Sequence, residues 1–247
     1  FQYQAGAFQP LRALGRFMHA ILAPLTGRPG FGGLSYWNAV WGMASRIGLT
    51  HKRPAFGIND VVIGDVDVRV HEDVVDATPF ASLLRFRKET DLAQPRVLLV
   101  APMSGHFATL LRSTVRTMLP DHDVYLTDWH NARDVPPAAG EFGFEAYAEH
   151  VIRFLEKIGA GGHVVAVCQP CVQVLVAVAA MAEDKNPAAP RSMTLMAGPI
   201  DTKINPTKVN ELALSRPIEW FKENLISTVP WYLQGGGRKV YPGFVQL

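Results

Sequence analysis

Two cysteines three positions apart, in the run Cys168-Gln169-Pro170-Cys171, are the strongest nucleophiles this chain offers. The residues before them, HVVAV, are a short β-branched run, and those after them are apolar for more than two helical turns. A strand that ends in one sharp turn and continues as a buried helix displays its turn residue at the carboxyl edge of a sheet, where open α/β sheets bind ligands. The helix N-terminus favours a thiolate there by roughly 0.3–1 kcal/mol. Ala166-Val167-Cys168-Gln169-Pro170 stands where a hydrolase elbow reads G-x-S-x-G, with both glycines replaced. Acyl transfer at Cys168 would need backbone N–H groups aimed at the developing oxyanion. Gln169 supplies one. Met103 supplies the other, with Ser104 as the alternate, because Pro102 has no N–H.

Two other readings compete for the same residues. C-x-x-C at a helix start is the pattern of a dithiol–disulfide oxidoreductase. Against it stand Val167 where an aromatic is usual, a chain far longer than that fold, and four βα-type strands. Cys168 could also be a small buried hydrophobe. Cys171 is expected to face the core one turn on. No second cysteine pair exists to complete a zinc site, and neither a metal nor a cofactor is expected.

A thiol nucleophile needs a base, and the base an orienting acid. In α/β-hydrolases the order along the chain is nucleophile, acid, histidine. No histidine follows His163 in this sequence. His106 and His130 fall on loops at the correct edge of the sheet, where they would line a pocket or serve as loop hydrogen bonders. Asp201, after the last strand, would act as an acid or cap a turn. The expectation is a chain that lacks its own general base.

The elements that position these residues follow from periodicity. Residues 9–23 and 34–49 carry apolar side chains at helical spacing, the second with Tyr36, Trp37, Trp41 and Met43. From Ile58 the period becomes two, and VVIGDVDVRV reads as one antiparallel strand, with FASLLRF as its partner. RVLLVA, HDVYLT, HVVAV and SMTLMA then alternate with helices over 108–119, 142–158 and the stretch after Cys168. This βαβαβαβ order predicts a mostly parallel sheet with antiparallel leading strands. Three regions are expected: an N-terminal helical extension (1–57), the α/β core (58–200), and the start of a helical cap (201–247) rich in aromatics.

At 247 residues and 48% hydrophobic content the chain can bury a sizeable core. Its 24 basic and 22 acidic residues leave a net charge of +2, so no nucleic-acid partner is implied. Two cysteines this close do not make a secreted disulfide framework, which favours a reducing setting. Residues 164–182 contain only two clearly polar side chains, Gln169 and Gln173, yet Pro170 and the β-branched start argue for strand plus helix rather than a membrane span.

APMSGHFATLLR, DVYLTDW, HVVAVCQPCVQVL and MAGPIDTKINPTKVNEL together resemble the intracellular poly(3-hydroxybutyrate) depolymerases, from about Arg53 to Leu247. The resemblance implies an α/β-hydrolase fold, no cofactor, and hydrolysis of stored polyester to 3-hydroxybutyrate oligomers or monomer. Cys168 matches the family's nucleophile. The family's Asp and His lie further along the chain, so the sequence looks like the front portion of such an enzyme, completed by a segment or chain beyond Leu247. The G-x-C-x-G-G of the related polymer synthases is absent. A cytoplasmic location at polymer granules is implied, with the polymer as partner and homo-oligomers not excluded. Trp129, Trp231 and His106 are the substrate-binding candidates, with Trp220 and Tyr232 as further aromatic surfaces. A non-catalytic granule-coating protein of the same fold is the remaining alternative.

Overall fold

The computed structural model describes residues 9–26, 32–46, 53–103 and 107–243. It divides after Lys52 into two compact units. The first holds helices α1 (Gln9–Leu22) and α2 (Gly32–Arg46). The second starts at Arg53, earlier than the boundary expected after residue 57, because Phe56 is buried edge-to-face on Phe86 at 5.0 Å in the core of the sheet.

That sheet has seven strands, β1 (Asp60–Ile63), β2 (Val66–Ala77), β3 (Ala81–Lys88), β4 (Arg96–Val100), β5 (Asp123–Trp129), β6 (His163–Val167) and β7 (Ser192–Met196). Their spatial order is β1-β2-β3-β5-β4-β6-β7. The first three strands and the β3–β5 pair are antiparallel, and β5, β4, β6 and β7 are mutually parallel. The run VVIGDVDVRV is thus two strands, not one. They form a hairpin with Ile63 opposite Val66, and Gly64 takes φ 61° at the first central position, where a II′ turn asks for glycine.

Both faces of β4 and β5 are covered, and β6 is buried on one face and half-buried on the other, which explains their apolar runs. Leu98 and Val100 of β4, Tyr125 of β5, and Val164 and Ala166 of β6 enter one core with α4 (Phe144–Ile158) and α5 (Cys171–Glu183). The alternate residues Val97, Leu99, Val124 and Leu126 enter the other, with Phe56, Leu111, Val115 and Leu119. The latter three lie on a 3₁₀ turn, Ala108–Leu111, on α3 (Arg112–Met118), and just beyond it. SMTLMA is not a doubly buried strand. As β7 it lies at the sheet edge and alternates exposed with half-buried residues, since no described element covers its outer side.

At the end of the sheet opposite Cys168, buried Lys88 donates to the carbonyls of Leu119 and His122 (the latter at 2.7 Å) and to Gln94 Oε1. Burial pushes its pKa down. Lys88→Met leaves those acceptors unpaired, and is expected to lower stability by about 2 kcal/mol, read as a shift of the urea midpoint.

Beyond β7 come α6 (Lys208–Ser215), α7 (Ile218–Asn224) and a short pair, β8 (Ser227–Thr228) with β9 (Lys239–Val240). Thr207 caps α6 in a reciprocal box with Asn210. Among the described residues no helix is long and apolar enough to cross a membrane. Residues 164–182 are β6, the turn and most of α5.

Candidate active site

β6 ends at Val167, and α5 begins at Cys171. Between them Cys168 adopts φ 68°, a left-handed conformation that costs an L residue with a Cβ roughly 1–2 kcal/mol. Such strain persists only where the surroundings over-determine it, and it clusters at functional sites. Here the restraints are visible. The Cys168 N–H donates to Met196 O at 2.8 Å, extending the β6–β7 ladder by one bond, and the Cys168 carbonyl accepts from Cys171 N–H at 3.2 Å, starting the helix. Cys168 is exposed and Cys171 is fully buried. Burial raises the Cys171 thiol pKa, and its Sγ faces the carbonyls of Ala166 and Met196 at 3.5 and 3.6 Å.

The flanking positions Ala166 and Pro170 do not supply the close approach that glycines give a hydrolase elbow. Gly198, on the loop after β7, does. A Cβ there would stand 2.1 Å from Cys171 Cβ and 3.0 Å from the Cys168 carbonyl. Its neighbour Ala197 is also left-handed, at φ 54°. Sequence reasoning passed over both; the one signal was a glycine directly after an apolar strand.

The loop after β4 reaches the same edge. Its root is held at both polar atoms of buried Ala101: the N–H donates to Thr127 Oγ1 at 2.9 Å, and the carbonyl accepts from Trp129 Nε1 at 2.9 Å and the Tyr147 hydroxyl at 3.2 Å. Trp129 stacks on Tyr147 with ring centroids 4.1 Å apart. Burial holds the Tyr147 hydroxyl pKa well above its ordinary value. Two residues on, the Met103 N–H donates to Gln169 Oε1 at 3.3 Å, joining the loop to the elbow. Ser104 and His106 lie outside the described residues.

The remaining candidates scatter. His130 has both ring nitrogens engaged, by Ser82 Oγ at 2.8 Å and Pro79 O at 3.1 Å, which ties it to the approach to β3. Asp201 caps a turn by accepting from Lys203 N–H at 2.9 Å. Asp128 bonds Arg53 Nε at 2.8 Å; burial raises its pKa against the opposing pull of Arg53 and His130. Trp231 is 89% exposed, and Tyr232 meets it edge-on at 6.0 Å; Trp220 is only half-exposed. Arg238 was not foreseen. Its guanidinium donates to the carbonyls of Val135, Pro136 and Gly140 at 3.1, 2.7 and 2.7 Å and lies over the Phe80 ring, fixing the loop after β5. A shallow depression of about 540 Å³ lies at the C-terminal ends of α4 and α5, away from the elbow. No cluster of metal-ligating side chains occurs among the described residues.

A strand order with antiparallel leading strands, a parallel core and a strained residue between β6 and α5 defines an α/β-hydrolase fold. Residues 197–247 match the family model described as PHB de-polymerase C-terminus. The match is confined to that stretch, which holds the segment after β7. No curated protein matches. Similar solved structures include a CIB-like hydrolase from Thermoplasma acidophilum, at 13% identity and TM-score 0.36, covering 53% of this chain and 64% of that one. Naproxen esterase (carboxylesterase NP) from Bacillus subtilis is similar at 15% identity and TM-score 0.41, covering 72% and 59% respectively. The chain thus spans less than two thirds of either protein.

Proposed function

We propose that this chain carries the nucleophile of an ester hydrolase acting on poly(3-hydroxybutyrate), with Cys168 as the attacking group. The observation that carries the reading is the exposed, left-handed Cys168 between β6 and α5, at the carboxyl edge of the parallel strands. Its thiolate attacks the ester carbonyl and forms a C–S bond. The oxyanion would be held by the N–H groups of Gln169 and Met103. No described residue accepts from the Gln169 N–H, and the Gln169 side-chain oxygen now on Met103 would swing aside to admit substrate. The C–O bond then breaks, and the alkoxide leaves with a proton from an imidazolium. Water, deprotonated by the same imidazole, hydrolyses the thioester to acid and free thiol.

No described histidine contacts the elbow. The imidazole and its carboxylate partner are assigned to none of the described residues. Trp231 and Tyr232 are proposed to grip the apolar polyester, and the working location is proposed to be the surface of cytoplasmic polymer granules. The test is to incubate the full-length protein with a slowly turned-over p-nitrophenyl ester and map the acyl adduct by peptide mass spectrometry. An adduct on Cys168 is the expected result. Acylation of any other residue overturns the assignment.

An exposed Cys168 beside a buried Cys171 also suits a dithiol oxidoreductase, but the seven-stranded hydrolase sheet does not. Cys171→Ser is accordingly expected to change ester hydrolysis less than about threefold. A loss comparable to that of a Cys168 variant would restore the dithiol reading.

A further inference from the structure

In the N-terminal unit the closest approach of the two helices is made by small and polar groups. A Cβ on Gly15 would stand 2.7 Å from Ser45 N, one on Gly42 would stand 3.3 Å from the His19 ring, and His19 Nδ1 lies 3.2 Å from the Asn38 carbonyl. Met18, Leu22, Leu34 and Trp41 are half-buried, but several other large apolar side chains point outward. Leu14, Phe17 and Ile21 share one face of α1 at i, i+3, i+7 spacing and are 47%, 63% and 47% exposed. Tyr36 and Met43, seven apart on α2, are 69% and 72% exposed. Helices that pair through small residues and hydrogen bonds while turning apolar side chains outward are packed for an apolar medium rather than water.

Charge identifies the surface. Residues 1–52 contain five basic residues (Arg12, Arg16, Arg28, Arg46 and Lys52) and no aspartate or glutamate, whereas the remainder carries 19 basic and 22 acidic residues. A segment that carries a net charge of +5 and an apolar helix face is complementary to a surface that is both apolar and anionic. At 14 and 15 residues the helices are roughly 21–23 Å long, short of the ~30 Å hydrocarbon layer, so they would lie on it rather than cross it.

We infer that α1 and α2 form a docking hairpin for an anionic phospholipid surface, with Phe17, Ile21 and Tyr36 entering the acyl boundary and Arg16 at the headgroups. The inference is independent of the chemistry at Cys168. The experiment is flotation of the full-length protein with phosphatidylglycerol vesicles, phosphatidylcholine vesicles, and lipid-free poly(3-hydroxybutyrate) particles. Co-flotation with phosphatidylglycerol, and little with phosphatidylcholine, is expected. Arg16→Glu and the double variant Phe17→Ser/Ile21→Ser should each weaken it about tenfold or more. Both should leave hydrolysis of a soluble ester unchanged, which separates this surface from the reaction site. Equal binding to phosphatidylcholine, binding to the polymer particles alone, no binding at all, or variants that float like the parent would each overturn the inference.

Discussion

Replacing Cys168 with alanine in the full-length protein is expected to reduce ester hydrolysis by at least about 10⁴-fold, as loss of the nucleophile does in comparable acyl-transfer enzymes. The loss should fall on kcat, because the thiol is needed only once substrate is in place. The same position carries a second, opposite expectation for stability. At φ 68° an alanine inherits the strain of a left-handed Cβ, about 1–2 kcal/mol, whereas glycine does not and forfeits about 0.5–1 kcal/mol through its freer unfolded chain. Cys168→Gly should therefore be as inactive as Cys168→Ala yet melt roughly 2–4 °C higher. Measuring kcat and Tm on both variants checks the pair. Retained hydrolysis in either would remove Cys168 from the reaction.

Gly198→Ala is expected to damage the site without touching a reacting atom. Its methyl carbon would fall 2.1 Å from Cys171 Cβ and 2.4 Å from Cys171 Sγ. Cys171 is wholly buried at the start of α5 and has no room to yield, so the helix start must move away from the loop. The overpacking should cost about 3 kcal/mol. A displacement of about 1 Å at the adjoining Cys168 should lower kcat/KM about 100-fold. Adding Cys171→Gly opens the space and should recover part of both losses. If the single variant melts and turns over like the parent, the close approach is not what shapes the elbow.

The core strands and the place of the thiol were legible because burial on both faces leaves a pattern in consecutive residues. The centres of RVLLV, DVYLT and HVVAV had to be apolar at consecutive positions, and the switch to a helix after Val167 marked the turn. The antiparallel hairpin was misread because Gly64 and Asp65 fit the alternation they interrupt, so period alone could not separate β1 from β2. What lay beyond reach was every feature made by residues distant in the chain. Gly198 matters only because β7 lies beside β6. Trp129 reads as a free aromatic until its indole is found on Ala101, 28 residues earlier. The likeness to the depolymerases pointed to Cys168 but said nothing of how a proline- and alanine-flanked elbow is held. The charge division between the two units was also present in the sequence, concealed by a net of +2.

The three carbonyls gathered by Arg238 lie 98 to 103 residues upstream of it. During synthesis at roughly 5–20 residues per second, the loop after β5 waits some 5–20 s for the side chain that fixes it. Contacts of such sequence separation are also the slow ones in refolding, since loop closure precedes any gain from them. The sheet and the strained turn at Cys168 rest mainly on earlier residues and can close first. That rim of the sheet's carboxyl edge is then the last part to take shape, and the nascent chain holds its thiol before it holds the loop fixed by Arg238.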